Sequence, residues 1–217
     1  MDWEPNKRKF DGDINWTSKR RKIECVNDSV TMGGKSDLDV IKENNHIYFY
    51  CEVNRKTVLD LIKYIRVLNS ELANYQSKYD FSDSKIFIHI NSYGGNIFAA
   101  IAVIDTILSS KVPVVSIIEG CCASAGTLIS MVCSERIITP NSFMLIHELK
   151  SNFWGKMSEI EDEFTNLQQL TELIKNLYKK HTKLKLTGKN GINNILKHDI
   201  WWNSNTCLEL GLVDKII

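Results

Sequence analysis

The chain has 217 residues, 43% of them apolar and 24% charged, and its formal net charge is +1. That length buries one sizeable core and is short for two, and the near-neutral balance argues against a general nucleic-acid binder. Six cysteines without paired ligand spacing or a disulfide framework point to a reduced, intracellular compartment.

Residues 1–38 are polar, rich in Asn, Asp, Lys and Arg, and without sustained periodicity, so they read as a disordered basic arm ahead of a domain over 39–217. Lys7-Arg8-Lys9 and Lys19-Arg20-Arg21-Lys22 resemble the two halves of a bipartite nuclear-import signal. On that reading residues 7–22 direct the chain to the nucleus; the alternative is a solvated charged tail on a cytoplasmic protein. The first 22 residues hold no apolar core of the kind a secretion signal has, and their acidic residues count against an organelle transit peptide. The longest apolar run, 112–133, is broken by Pro113, Glu119 and several small residues. It reads as a buried strand passing into a buried helix, not as a membrane span.

Beyond the arm, strand and helix alternate. Residues 46–50 read as strand, 58–72 as an amphipathic helix with Leu59, Leu61, Ile62, Ile65 and Leu68 along one side, 86–90 as strand, 97–108 as helix and 114–118 as strand. A helix opens at Ser124, and short strands follow around 137–138 and 143–146. The alternation predicts an α/β fold with a mostly parallel sheet covered by helices and active-site residues on loops past strand ends. Residues 156–180 read as a long helix in which Ile160, Phe164, Leu167, Leu170, Ile174 and Leu177 recur at spacings of three or four. A unit of this size does not need so long a helix for its own core.

Three segments carry chemistry. Gly120-Cys121-Cys122-Ala123-Ser124-Ala125-Gly126 offers a serine among small residues at a strand-to-helix turn, and Met144-Leu145-Ile146-His147 offers an imidazole able to take its proton. Alone, each reads as readily as helix packing or a core histidine. In Ile90-Asn91-Ser92-Tyr93-Gly94-Gly95-Asn96 paired glycines sit where a strand turns into a helix, and the N–H donors of that turn, with the one after Ser124, suit an oxyanion hole. Cys122 reads as small and buried.

In this order the segments resemble the Clp protease proteolytic subunit family, over residues 47–217. Ile90-Asn91-Ser92-Tyr93-Gly94-Gly95 is similar to the family's Ile-Asn-Ser-Pro-Gly-Gly, Cys122-Ala123-Ser124-Ala125-Gly126 to its Ala-Ala-Ser-Met-Gly, and Pro140-Asn141-Ser142 with Leu145-Ile146-His147 to its Pro-Asn-Ser and Met-Ile-His. Tyr178-Lys179-Lys180-His181-Thr182 is similar to its Tyr-x-x-His-Thr, and Gly211-Leu212-Val213-Asp214 to its Gly-Leu-Val-Asp. Asp199, followed by Trp201 and Ser204, matches its acidic triad member. Tyr93, Ala125, Glu148-Leu149 and the short Phe153-Trp154-Gly155 depart from the family pattern around the cleft.

The resemblance implies a ClpP/crotonase-like fold with a long handle helix and an intracellular serine endopeptidase. Ser124 is then the nucleophile, His147 the general base and later acid, Asp199 the acid that orients it, and the N–H groups of Gly95 and Ala125 the oxyanion hole. It further implies a homo-oligomer of two stacked heptameric rings, unfolded polypeptides as substrates, and an AAA+ ATP-dependent unfoldase docking around Phe87 and His89. No cofactor, metal, nucleic acid or membrane is expected. Asp199 also reads as an N-terminal charge for a following helix, His198 as a surface residue and Asp214 as structural. Two other classes fit the same segments: a catalytically silent ring subunit, and a crotonase-type acyl-CoA enzyme with the same fold and hole but no serine nucleophile.

Overall fold

The computed structural model describes residues 40–79, 83–188 and 191–217, all within one unit spanning 36–217. The basic arm, with both of its clusters, lies outside the described residues. Strands β1 (Val40–Glu43) and β2 (His46–Phe49) form an antiparallel hairpin whose turn holds Asn44 at φ 53, a left-handed conformation that asparagine tolerates. Helix α1 (Arg55–Tyr79) begins where Asn54 caps it, the side-chain oxygen accepting from the N–H groups of Lys56 and Thr57 at 2.9 and 3.0 Å.

The helix buries Val58, Leu61, Ile62, Ile65 and Leu68. Leu59, expected on that side, is 53% exposed, because the stripe facing the sheet starts one residue earlier at Val58. The helix also runs past its expected end at 72, since neither Gly nor Pro interrupts the chain before Tyr79.

Four parallel strands make the centre. β2 pairs with β3 (Ile86–Ser92), β3 with β4 (Val114–Ala123) and β4 with β5 (Glu135–Ile138), with α2 (Ile97–Leu108) and α3 (Ala125–Met131) in the crossovers. The short β8 (Lys215–Ile216) adds beyond β5. Ile47, Phe49, Ile86, Ile88, Ile90 and Ile118 are fully buried in the main core, as expected for strands covered by helices.

β4 extends well past the expected 118 because it serves two neighbours. Its first half pairs with β5 and residues 121–123 pair with β6 (Phe143–Ile146). The change of partner falls at Gly120, φ 73, whose N–H donates to the buried Ser142 hydroxyl at 2.7 Å.

β6 also pairs antiparallel with β7 (Ile200–Asn203), Ile146 opposite Ile200. This strand corrects the reading of Asp199 as a helix-start charge. The next helix, α6 (Ser204–Glu209), opens only after β7, behind the Asn203 side chain that caps it.

The long helix is present as α4 (Met157–His181), and its two halves differ. The C-terminal half is docked: Ile174 and Tyr178 are buried, and the Tyr178 hydroxyl meets Thr127 Oγ1 of α3 at 2.5 Å. The N-terminal half exposes Met157, Ile160 and Phe164. Past α4 and the single-turn α5 (Ile192–Ile195), Arg136 of β5 ties the end of α4 and the segment before β8 to the sheet. It donates to the carbonyls of His181 and Gly211 and grips Asp214 with two nitrogens, at 2.6 and 2.9 Å. Burial opposes ionisation of Asp214, yet these donors hold its carboxyl below the usual value. Its role is structural.

Candidate active site

Ser124 stands between β4 and α3 at φ 52 and ψ −124, a conformation belonging to neither element. Three bonds hold it there. Its N–H donates to the Leu145 carbonyl at 2.9 Å, and its carbonyl accepts from the Thr127 N–H at 3.0 Å and from the Thr127 hydroxyl at 2.6 Å. A non-glycine residue in such a turn costs roughly 1–3 kcal/mol and persists only when its surroundings over-determine it. Those surroundings are α3, whose seven residues are all buried.

Gly94, the first of the paired glycines, packs directly on this turn, and Gly95 packs on Val53. A Cβ on Gly94 would lie 2.7 Å from both the Ala123 oxygen and Ser124 Cβ, and the residue's φ of 94 disfavours a side chain in any case. Val53 pins the loop: its N–H donates to the Gly94 carbonyl at 2.8 Å, and its carbonyl accepts from Asn96 N–H at 2.7 Å. That bridge does not use the Gly95 N–H. Gly95, Ser124, Ala125, His147, Lys150 and Tyr178 all line one cleft of about 360 Å³.

His147 lines this cleft just past the end of β6, and Asp199 meets it from just before β7. The antiparallel register that sets Ile146 opposite Ile200 makes them the next facing pair. His147 Nδ1 and Asp199 Oδ1 are 3.8 Å apart, which is ion-pair distance and longer than a hydrogen bond. Nδ1 is buried without a hydrogen-bond partner, while Asp199 Oδ2 accepts from Lys150 Nζ at 2.8 Å. Burial first, and then the Lys150 charge, lower the His147 pKa; Asp199 and Glu148 pull the other way without reversing the shift. The shift favours the neutral imidazole, the form able to accept a proton. Cys122 beside the serine is fully buried, and burial raises its thiol well above the ordinary value, which leaves it inert.

Phe87 and His89 lie on β3, on the sheet face away from α1. Phe87 is partly buried against Val115, Ile117 and Ile137. His89 is buried, with Nε2 2.8 Å from His46 Nδ1, Nδ1 3.0 Å from Glu119 Oε1, and Tyr48 stacked on its ring. Tyr50 hydroxyl donates to the same Glu119 carboxylate. This polar network was not legible in the sequence, because its members come from three strands. His198 is exposed. The reading of motifs also missed Lys150 and Tyr178 as cleft residues. Tyr178 sits in a quoted motif, a signal that was there to use; Lys150 sits in none.

Among the described residues, no helix is long and apolar enough to cross a membrane. Comparison with known proteins agrees with the geometry. A model of the Clp protease family matches residues 34–217. The chain is 28% identical over 137 residues to an ATP-dependent Clp protease proteolytic subunit from Deinococcus radiodurans, covering 62% of this chain and 66% of that one. It is 27% identical over 205 residues to ATP-dependent Clp protease proteolytic subunit 2 from Treponema denticola, covering 94% of each. Among solved structures, a ClpP1 point mutant from Listeria monocytogenes superimposes with a TM-score of 0.67 at 27% identity, over 80% of this chain and 91% of that one. With the family match covering every described residue and a ClpP structure sharing the fold, the chain belongs to the Clp protease family.

Proposed function

We propose that this chain is the proteolytic subunit of a chambered serine peptidase. The observation that carries the reading is Ser124 on a strained strand-to-helix turn, sharing one cleft with His147 and with the glycine loop packed against it. The Ser124 hydroxyl attacks the scissile carbonyl while His147 takes its proton through Nε2, since Nδ1 faces Asp199. Gly95 and Ala125 N–H groups bind the oxyanion of the tetrahedral intermediate. His147 then returns the proton to the leaving amine, and water hydrolyses the acyl-serine by the same route in reverse. Asp199 orients the imidazole and stabilises its charged form.

The apolar side chains exposed along the first half of α4 support assembly, with that face covered by another subunit. Two stacked heptameric rings, unfolded polypeptide substrates and an ATP-dependent unfoldase docking near Phe87 and His89 complete the proposal. Both named bacterial relatives are described as ATP-dependent. The buried state of His89 leaves Phe87 and its polar neighbours as the contact surface.

A fluorophosphonate probe tests the chemistry. Ser124 Oγ bonds to phosphorus, fluoride leaves, and the serine proton passes to His147. Mass spectrometry should find the adduct on Ser124, and Ser124→Ala or His147→Ala should each lower peptidase turnover by about 10³-fold or more. The 3.8 Å gap between His147 and Asp199 favours one second reading, a ring subunit that is catalytically silent. An assembled protein that the probe leaves unmodified would establish that instead.

A further inference from the structure

Among the described residues, Lys150 is the one basic residue lining the cleft that neither the mechanism nor the quoted motifs absorb. It lies three residues past His147, its side chain is 66% exposed, and its Nζ contacts Asp199 Oδ2 at 2.8 Å. On the same carboxylate, Oδ1 stops 3.8 Å from a buried His147 Nδ1 that has no hydrogen-bond partner. The geometry is a competition. One carboxylate faces a lysine with which it is paired and a histidine which it does not reach.

We propose that Lys150 is a positioning residue of the peptidase site: by holding Asp199 through one oxygen, it sets how closely the acid approaches His147. The inference rests on the reading of Ser124, His147 and Asp199 as a triad. An exposed lysine pair is weakly held and exchanges with solvent. Lys150 therefore acts as a shallow restraint, and Asp199 closes on the imidazole whenever the lysine lets go.

The charges around His147 make the sign definite. Glu148 beside it, Lys150 past it and the neutral Tyr178 on α4 line the cleft with it, and Asp199 faces it from just before β7. Removing the lysine cation and freeing Asp199 both favour the imidazolium, in agreement with the lowering that Lys150 exerts.

The test is the pH dependence of Ser124 phosphonylation by the fluorophosphonate probe, measured on the full chain for the wild type, Lys150→Met and Lys150→Arg, and again with Asp199→Asn. Lys150→Met should move the acidic limb upward by roughly half a pH unit and raise the plateau rate a few-fold. Lys150→Arg keeps the cation and should leave the limb near the wild type. With Asp199→Asn present, Lys150→Met should shift the limb less, because part of its effect passes through the carboxylate. Superimposed wild-type and Lys150→Met limbs, or a shift undiminished by Asp199→Asn, would overturn the positioning role while leaving the peptidase reading intact. A wild-type chain whose Ser124 is never phosphonylated would overturn the peptidase reading, and this inference with it.

Discussion

At Gly94 the whole site depends on a missing side chain. The residue combines a φ of 94 with an absent Cβ that would stand 2.7 Å from the Ala123 oxygen and from Ser124 itself. Gly94→Ala must therefore push the loop away from the Ser124 turn or rotate its own backbone. It should cost about 1–3 kcal/mol of stability and slow Ser124 labelling by about tenfold or more, because displacing a positioned donor by an ångström is expensive. Parallel measurement of melting and labelling rate checks this. A variant that labels at the wild-type rate would show that the loop does not touch the reaction.

Among the elements, α4 does two jobs with two halves. Near its C-terminal end Tyr178 donates to Thr127 Oγ1, and Thr127 in turn donates to the Ser124 carbonyl, so the long helix buttresses the Ser124 turn. Tyr178→Phe removes one donor and should cost about 1 kcal/mol. Thr127→Val strands a buried phenol and removes one of the two bonds to the Ser124 carbonyl, the Thr127 N–H keeping the other, and should cost roughly 2–3 kcal/mol. Thermal melts that rank the two variants the other way would contradict this chain of bonds. Near the N-terminal end the exposed Phe164 belongs to the proposed subunit contact. Phe164→Glu should therefore make the protein elute as a smaller species, with little change in the fold read by circular dichroism. Unchanged elution would remove this face from the assembly.

Across the whole molecule, partly buried histidines and one gripped carboxylate set the response to acid. His46, His147 and His181 are each held below the ordinary 6.5, in every case first by burial. Such a histidine binds a proton more readily unfolded than folded, so its contribution is complete above about 6.5 and is lost as the pH falls through the folded value. Asp214 acts in the same direction lower down. Its folded carboxyl lies below the ordinary 3.8, so its contribution is present above that value and lost as the pH falls through the folded one. Calorimetry between about pH 7.5 and about pH 5 should show a falling Tm as the histidines are forced to charge. A Tm that rises over this window would mean that other groups dominate.

What the sequence by itself determined was local. The strand-to-helix turn at Ser124, the glycine loop, the helix at 97–108 and the long helix over 156–180 each announce themselves in consecutive residues, through small-residue runs, paired glycines and a repeat of three to four. The family register then named the three catalytic candidates in order. Tertiary structure decided the rest, because strand pairing joins residues far apart in the chain and leaves no periodic trace. The β6–β7 register makes His147 and Asp199 neighbours across 52 positions of sequence, from 147 to 199. It also turned an expected helix start into a strand. The division of the Asp199 carboxylate between His147 and Lys150 is likewise a matter of distances, 3.8 against 2.8 Å, that no spacing of residues encodes.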